Sequence, residues 1–193
     1  TSNELARAED AAICEAIRMQ EDIGLSVATD GEYRRYFWHY DFMGMLTGFE
    51  METRGEGIQF KGIKLPPLYP TIKGKLDFPD DHPMIGHFKF LAQNTTVMPK
   101  ISIPGPSCCH FRTAPTDILP PEYTDLDLLF SDLAKTYKKA VAAFYEAGCR
   151  YLQMDDIFFA YLCDESHRSE KAALGQDPDY LLDRYAWMIN EAI

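Results

Sequence analysis

Two short clusters of acidic residues each follow a stretch of extended or apolar character. Asp30 and Glu32 flank a glycine, and Asp155 and Asp156 stand together after the apolar segment 149–154. Carboxylates at strand ends can bind an ammonium group, hold a metal ion or act as a general base. The simpler interpretation is that Asp30 and Asp156 only cap the helices that follow them. We favour a functional role for at least one residue of each cluster, because the sites of α/β proteins collect at strand ends.

Three further polar candidates follow a Gly/Pro corner in the segment 103–112. Ser107 could donate to a ligand, while His110 and Arg112 flank Phe111 and combine an imidazole, an aromatic face and a fork-shaped donor. Two prolines leave few backbone amides there, which argues against a pyrophosphate cradle. A packed corner of the fold explains the same residues equally well.

Arginines and aromatic residues also stand together in the segment 34–40, which includes Arg34, Arg35 and Trp38. The segment is typical of a pocket wall or lid for a flat ligand, or of a subunit contact, and core packing is the alternative. Thirty acidic against 19 basic residues give a net charge of -11, which argues against nucleic acid and anionic membranes as partners.

The five cysteines are an odd number without a CxxC or His-x-Cys pair, so the sequence shows no zinc cluster and indicates a reducing, cytoplasmic compartment. A content of 46% apolar and 25% charged residues is typical of one globular domain.

Helical and extended segments alternate along the chain. Apolar periodicity predicts a helix over 4–23, with a capping box from Thr1 and Glu4 and a stop at Gly24. The same reasoning predicts further helices over 82–93, 125–147 and 178–192, a short helical turn over 157–163, and strands over 25–29, 98–103 and 149–154.

This alternation predicts an α/β fold with a parallel sheet. The Gly- and Pro-rich segment 47–78 is the exception, and we expect a β-hairpin-like insertion there. Both a (β/α)8 barrel and a doubly wound open sheet fit, but no Gly-rich phosphate loop follows a strand, which disfavours the open nucleotide-binding sheet. A barrel needs roughly 250 residues, so this chain would form part of one.

Three segments together resemble one family. The segments 29–35, 103–107 and 148–156, with Trp38 after the first, are similar in type and order to the catalytic domain of cobalamin-independent methionine synthase, particularly its short single-domain relatives. The resemblance implies that residues 1–193 form a single incomplete (β/α)8 barrel domain without the first strand and the C-terminal units. It also implies an S-methyltransferase that transfers a methyl group to a zinc-activated thiol, homocysteine, in methionine synthesis.

By the same resemblance, Glu32 and Asp155 contact the amino-acid substrate, whose ammonium group two carboxylates would match. Asp30, Asp156, Ser107, His110 and Arg112 complete the candidate substrate-binding set, and no residue is assigned as catalytic or as a metal ligand. Zinc is expected in the full-length protein, with ligands that lie downstream of this chain. The expected partners are a homocysteine-like thiol and a methyl donor, without nucleic acid or membrane, and homo-oligomers are left open.

Other functions remain as alternatives. The family's Trp after the Gly/Pro corner, which meets the folate ring, is replaced here by the segment 108–112, so the methyl donor is left open. A related thiol alkyltransferase that opens epoxides with coenzyme M shares the architecture. Porphyrin decarboxylation would require more arginine than this acidic chain has. A non-catalytic ligand- or partner-binding fragment without the zinc site is the remaining alternative.

Overall fold

Helices and strands alternate along the chain in the computed structural model, which describes residues 1–57 and 59–193. The helices span Ser2–Asp22 (α1), Tyr40–Met43 (α2), Pro83–Asn94 (α3), Pro106–Phe111 (α4), Leu126–Glu146 (α5), Phe158–Tyr161 (α6), Glu165–Ala173 (α7) and Pro178–Ala192 (α8). The strands span Val27–Ala28 (β1), Thr47–Thr53 (β2), Gln59–Phe60 (β3), Ile63–Lys64 (β4), Leu68–Asp77 (β5), Met98–Pro99 (β6), Ile101–Pro104 (β7) and Leu152–Asp155 (β8).

One extended segment, 98–104, lies at the centre of the parallel strands. Its first part, β6, pairs with β1, and its second part, β7, pairs with β8, both in parallel. The Lys100 amide donates to the Ala28 carbonyl at 2.9 Å, and the Ile101 amide donates to the Tyr151 carbonyl at 3.2 Å. The segment therefore changes its partner at this point, and the predicted parallel pairing is confirmed.

The core lies between this segment and α5. Ile101 and Ile103 are buried on one face of β7 and belong to the same apolar cluster as α5. The predicted stripe on α5 is confirmed, since its five positions are all buried: Leu129, Leu133, Thr136, Ala140 and Phe144. The opposite face of β7, which carries Ser102, is therefore left for other contacts.

The predicted insertion over 47–78 is confirmed as antiparallel structure. β2 pairs with β5 and β3 pairs with β4, while residue 58 lies outside the described residues. Gly48 has a φ of +83° at the irregular start of the β2–β5 pairing, and an added Cβ there would lie 2.6 Å from the Gly74 carbonyl oxygen. Only glycine fits this position without a backbone shift.

Two local predictions need correction. The strand predicted over 149–154 begins only at Leu152, because α5 closes with Gly148 at a φ of +96° and residues 149–151 complete that turn. The rigid corner predicted after residue 103 is the start of α4, where Pro106 occupies the first helical turn, in which no intrahelical amide donor is needed.

Neither a closed barrel nor a membrane-crossing helix is present in the described part of the chain. Residues 1–57 and 59–193 form four two-stranded sheets, two parallel and two antiparallel, within a mixed α/β arrangement. Within these same residues, every helix is too short or too polar to cross a membrane.

Candidate functional site

Glu32 stands in a left-handed turn just after β1. Its φ is +59°, which costs a non-glycine residue about 1–2 kcal/mol. The turn is held by Asp30, which is 3% exposed and whose Oδ1 accepts a hydrogen bond from the Glu32 amide at 3.0 Å. Gly31 between them also has a positive φ, of +65°. Asp30 therefore shapes the turn that presents the Glu32 side chain.

Arg35 connects this turn to the neighbouring strand. The amides of Ile101 and Gly105 donate to β8, so the carbonyl of Ser102, which lies between them, points away from β8. On that side β1 has already ended, and no strand of the described residues pairs with the Ser102 carbonyl. The Arg35 guanidinium fills that gap, donating to the Ser102 carbonyl at 2.7 Å, to Glu32 Oε1 at 3.0 Å and to the Trp38 carbonyl at 3.4 Å. Its side chain is 3% exposed.

Glu32 and Asp155 each accept a hydrogen bond from one of two polar side chains that are neighbours on adjacent strands. Ser102 Oγ donates to Glu32 Oε1 at 2.8 Å, and Gln153 Nε2 donates to Asp155 Oδ1 at 2.5 Å. Ser102 and Gln153 are direct partners in the β7–β8 register, so their side chains share one face. We call these four residues, Glu32, Ser102, Gln153 and Asp155, the carboxylate face.

A cleft of about 370 Å³ opens beside Asp155, lined also by Trp38 and Gln153. One oxygen of Glu32 and one of Asp155 accept the hydrogen bonds given above, and the second oxygen of each has no partner among the described residues. The carboxylate face can therefore accept hydrogen bonds from a cationic ligand without breaking its own contacts.

Trp38 forms one wall of this cleft, in agreement with the prediction of a pocket wall in the segment 34–40. Its ring stacks on the buried His39 ring at 4.5 Å between centroids. Burial, together with the nearby Arg112 charge, lowers the pKa of His39 to about 4. A neutral imidazole therefore supports the tryptophan at neutral pH.

Asp156 also lines the cleft and contacts α4 and α6. Its Oδ1 accepts from Ser107 Oγ at 2.5 Å and from the Phe158 amide at 3.3 Å, at the start of α6. Burial raises the pKa of Asp156, and its Oδ2 is buried without a partner in the described part of the chain. The N-cap of α6 is Ile157 rather than Asp156, although Asp156 accepts from the first amide of the helix, and both Asp155 and Asp156 line the cleft.

His110 lies in the core, away from the carboxylate face. Its Nδ1 lies 2.7 Å from the Tyr185 hydroxyl, and Gln176 Nε2 lies 3.1 Å from its Nε2. Both ring nitrogens of His110 therefore have a polar partner within the core. Burial lowers the pKa of His110 to about 3, with Lys171 adding to the effect.

Arg112 is placed apart from the carboxylate face as well. Its guanidinium lies 5.4 Å from the Phe158 ring centroid and 6.0 Å from that of Tyr161. It lines two pockets, of about 200 and 410 Å³, that share no lining residue with the cleft at Asp155. The structure therefore brings Asp30, Glu32, Asp155, Asp156 and Ser107 to one region and His110 and Arg112 to another.

Sequence reasoning missed Arg35 and Gln153 as parts of the site. Arg35 stands three residues after Glu32, and Gln153 stands two residues before Asp155 on the same strand face. A period of two along a strand was the available signal for Gln153. Nothing in the sequence marks Arg35 as buried, because its partners Ser102 and Trp38 are set by the tertiary fold.

The side chains of this region do not form a metal site. No group of three His, Cys, Asp or Glu residues close enough to hold an ion occurs within residues 1–57 and 59–193. Glu32 and Asp155 each already accept a hydrogen bond from a neutral side chain, Ser102 or Gln153. The donor set that is present suits an ammonium group better than zinc, which prefers Cys and His ligands.

Comparisons with known proteins place these residues in context. Residues 1–176 match the family described as "Cobalamin-independent synthase, Catalytic domain". YxjH, an uncharacterised protein of Bacillus subtilis, is 41% identical over 196 residues, covering 100% of this chain and 50% of its own length. YxjG of the same organism is 39% identical over 197 residues with the same coverage. The chain thus spans about half the length of the curated relatives it matches.

Solved structures show the same likeness. A putative vitamin-B12-independent methionine synthase from Listeria monocytogenes is 37% identical with a TM-score of 0.80, covering 100% of this chain and 52% of that one. A B12-independent methionine synthase from Shewanella sp. W3-18-1, in complex with selenomethionine, is 19% identical with a TM-score of 0.62. That alignment covers 95% of this chain and 49% of the other, and it shows a shared fold.

Proposed function

The chain belongs to the family of the cobalamin-independent synthase catalytic domain, and from that premise we propose that it is part of an S-methyltransferase. The reaction is transfer of a methyl group to the thiol of homocysteine in methionine synthesis. The observation that carries the proposal is the carboxylate face, where Glu32 and Asp155 each bond to one of two neighbouring strand residues and each keeps one oxygen unpartnered among the described residues.

The role of the two carboxylates follows from their chemistry. The amino group of an amino acid is cationic at neutral pH and carries three N–H donors, and under this proposal it donates to both Glu32 and Asp155. Charge-assisted hydrogen bonds of this kind contribute about 1.5–3 kcal/mol each. Because Ser102, Gln153 and Arg35 hold both carboxylates in place, the amino group would be bound in one orientation, with the thiol directed to one position.

Zinc, in the resemblance that motivates this proposal, supplies a thiolate at neutral pH. Since the described residues offer no cluster that fits zinc, the part that we assign to this chain is binding and orientation of the amino acid. Trp38 contributes by closing one wall of the cleft against water.

We extend the proposal to the architecture. The segments β1, β6–β7 and β8 are consecutive parallel neighbours, and Glu32 and Asp155 stand at or just after their carboxyl ends. Active sites of (β/α)8 barrels occupy that end of the strands. We therefore infer that residues 1–193 contribute part of such a barrel. Relatives of about twice the length support the idea that further units complete it.

Homocysteine binding tests the proposal directly. We expect Glu32→Gln and Asp155→Asn, made in the intact protein, each to weaken homocysteine binding about tenfold or more in isothermal titration calorimetry. Glu146→Gln is the matched control, since Glu146 is an exposed carboxylate at the end of α5. Formation of methionine from homocysteine and a methyl donor should fall in parallel in the first two variants.

Two results would contradict the proposal. Unchanged homocysteine affinity in both Glu32→Gln and Asp155→Asn would exclude the carboxylate face as the amino-acid site. Alkylation of coenzyme M by an epoxide, without methionine formation, would assign the protein to the related thiol alkyltransferases instead.

A further inference from the structure

A second pocket, of about 410 Å³, carries the opposite charge. Its lining includes Phe111, Arg112, Thr113, Asp117 and Lys171, which we call the cationic pocket. It shares no lining residue with the cleft at Asp155. A pocket with two basic side chains is unexpected in a chain with a net charge of -11, so the partners of these side chains require an explanation.

Lys171 is a buried ammonium group with few hydrogen-bond partners. The residue is 8% exposed, and its Nζ donates to the Phe111 carbonyl at 3.2 Å and lies 4.1 Å from the centroid of the Phe111 ring. No carboxylate forms an ion pair with it among the described residues; the adjacent Glu170 accepts from His167 and acts on Lys171 only through its charge. Burial is the main cause that lowers the pKa of Lys171 to about 8; the nearby Glu170 charge acts in the opposite direction, and Arg112 adds to the lowering.

Arg112 likewise lacks an anionic partner. Its guanidinium makes no hydrogen bond or ion pair within the described part of the chain, and its Nε is buried. Its guanidinium lies near the rings of Phe158 and Tyr161. A guanidinium has a planar fork of donors that fits carboxylate and phosphate oxygens, so an unpartnered fork facing a pocket is suited to an oxyanion.

The acidic residue of the pocket does not compensate these charges. Asp117 is 7% exposed, and its Oδ2 is engaged by the guanidinium of Arg54, the residue after β2. Arg112 and Lys171 therefore line the same cavity, and neither forms an ion pair with a carboxylate among the described residues. Burying such charges without a partner is unfavourable unless a ligand supplies the opposite charge.

We propose that the cationic pocket binds an oxyanion, a carboxylate or phosphate group, carried by a small molecule. Arg112 provides the paired N–H donors for the oxyanion, and Lys171 provides a second positive charge. The rings of Phe111 and Tyr69 line the same cavity and would contact the body of the ligand. This proposal does not depend on the methyltransferase proposal, because the two regions use different residues.

Binding of inorganic phosphate and of benzoate to the intact protein tests the proposal by titration calorimetry. We expect at least one probe to bind, and we expect Arg112→Gln and Lys171→Met each to weaken it about tenfold or more. Lys138→Met is the matched control, since Lys138 is an exposed lysine on α5, and it should leave the affinity unchanged. Binding of phosphate alone assigns a phosphorylated ligand, and binding of benzoate alone assigns a carboxylate.

A homocysteine titration of the same variants separates the two proposals. Lys171→Met should bind homocysteine as the unmodified protein does, and Glu32→Gln should bind the oxyanion probe as the unmodified protein does. The oxyanion proposal is overturned if neither probe binds, or if a probe binds Arg112→Gln and Lys171→Met as tightly as the unmodified protein.

Discussion

The carboxylate face and the cationic pocket treat charge in opposite ways. Glu32 and Asp155 each accept hydrogen bonds from side chains of this chain, and the buried Arg35 is shared among three oxygen acceptors. Arg112 and Lys171, in contrast, have no acidic partner among the described residues.

The difference distinguishes two kinds of ligand site. The carboxylate face is held in one geometry by its own hydrogen bonds before any ligand arrives, which suits a site that must orient a reacting group. The cationic pocket keeps a charge imbalance that a ligand would remove. Removing a polar side chain that holds the carboxylate face should therefore lower the free energy of unfolding. Removing a charge from the cationic pocket should raise it.

The largest effect is expected from Arg35→Met, which breaks the carboxylate face. The substitution leaves the Ser102 carbonyl, the Trp38 carbonyl and Glu32 without their shared donor, and we expect the free energy of unfolding to fall by about 3 kcal/mol. Urea unfolding followed by circular dichroism measures this loss.

Arg150→Met is the matched control for Arg35→Met. Arg150 also donates to two backbone carbonyls, those of Tyr145 and Cys149, but it is exposed, so water replaces its bonds. We expect little change in its unfolding free energy. Equal losses in the two variants would mean that burial of Arg35 does not add to its contribution.

Acidification should destabilise the fold through buried histidines, among them His110 near the cationic pocket. Its pKa is about 3 when folded and about 6.5 when unfolded, so the unfolded chain takes up the proton first as the pH falls. The contribution of His110 to the free energy of unfolding is therefore retained above pH 6.5. It decreases below that pH, by about 2 kcal/mol at pH 5 for this one group. Burial causes the shift, and the charge of Lys171 adds to it.

The slope of unfolding free energy against pH measures this contribution. His110→Gln should flatten the slope between pH 6.5 and 5, whatever its effect on stability at pH 7. His167→Gln, at a more accessible position on α7, is the control and should keep the slope of the unmodified protein. A slope in His110→Gln as steep as in the unmodified protein would contradict the assignment of His110 as a buried neutral group.

The sequence predicted the carboxylate face much better than the cationic pocket. Glu32 and Asp155 follow strands that short-range patterns indicate, and the resemblance built on the segments around them is confirmed by the family match over residues 1–176. The long helices α1, α5 and α8 were predicted to within two residues, because apolar stripes mark all three, glycines follow α1 and α5, and Pro178 begins α8.

The missed features depend on tertiary packing. α7 was not predicted, since Glu165–Ala173 is mostly polar and has no apolar period, and its one buried residue is Lys171. The burial of that lysine is set by Phe111, which is 60 positions away in the chain. Arg112 was a candidate from its residue type, but its lack of an acidic partner is visible only in the folded chain.

The smallest expected effect has the opposite sign and completes the comparison. Lys171→Met removes a buried ammonium group while keeping an apolar chain against the Phe111 ring, so we expect a gain of about 1 kcal/mol in unfolding free energy at pH 7.

Because the pKa of Lys171 is lowered to about 8, the unfolded chain holds this proton to higher pH. The ammonium therefore opposes folding below pH 8, and the advantage of the variant should shrink as the pH rises from 8 to 10.5. Lys138→Met should show neither the gain nor its pH dependence, and a loss of stability in Lys171→Met would mean that the ammonium is a structural anchor like Arg35.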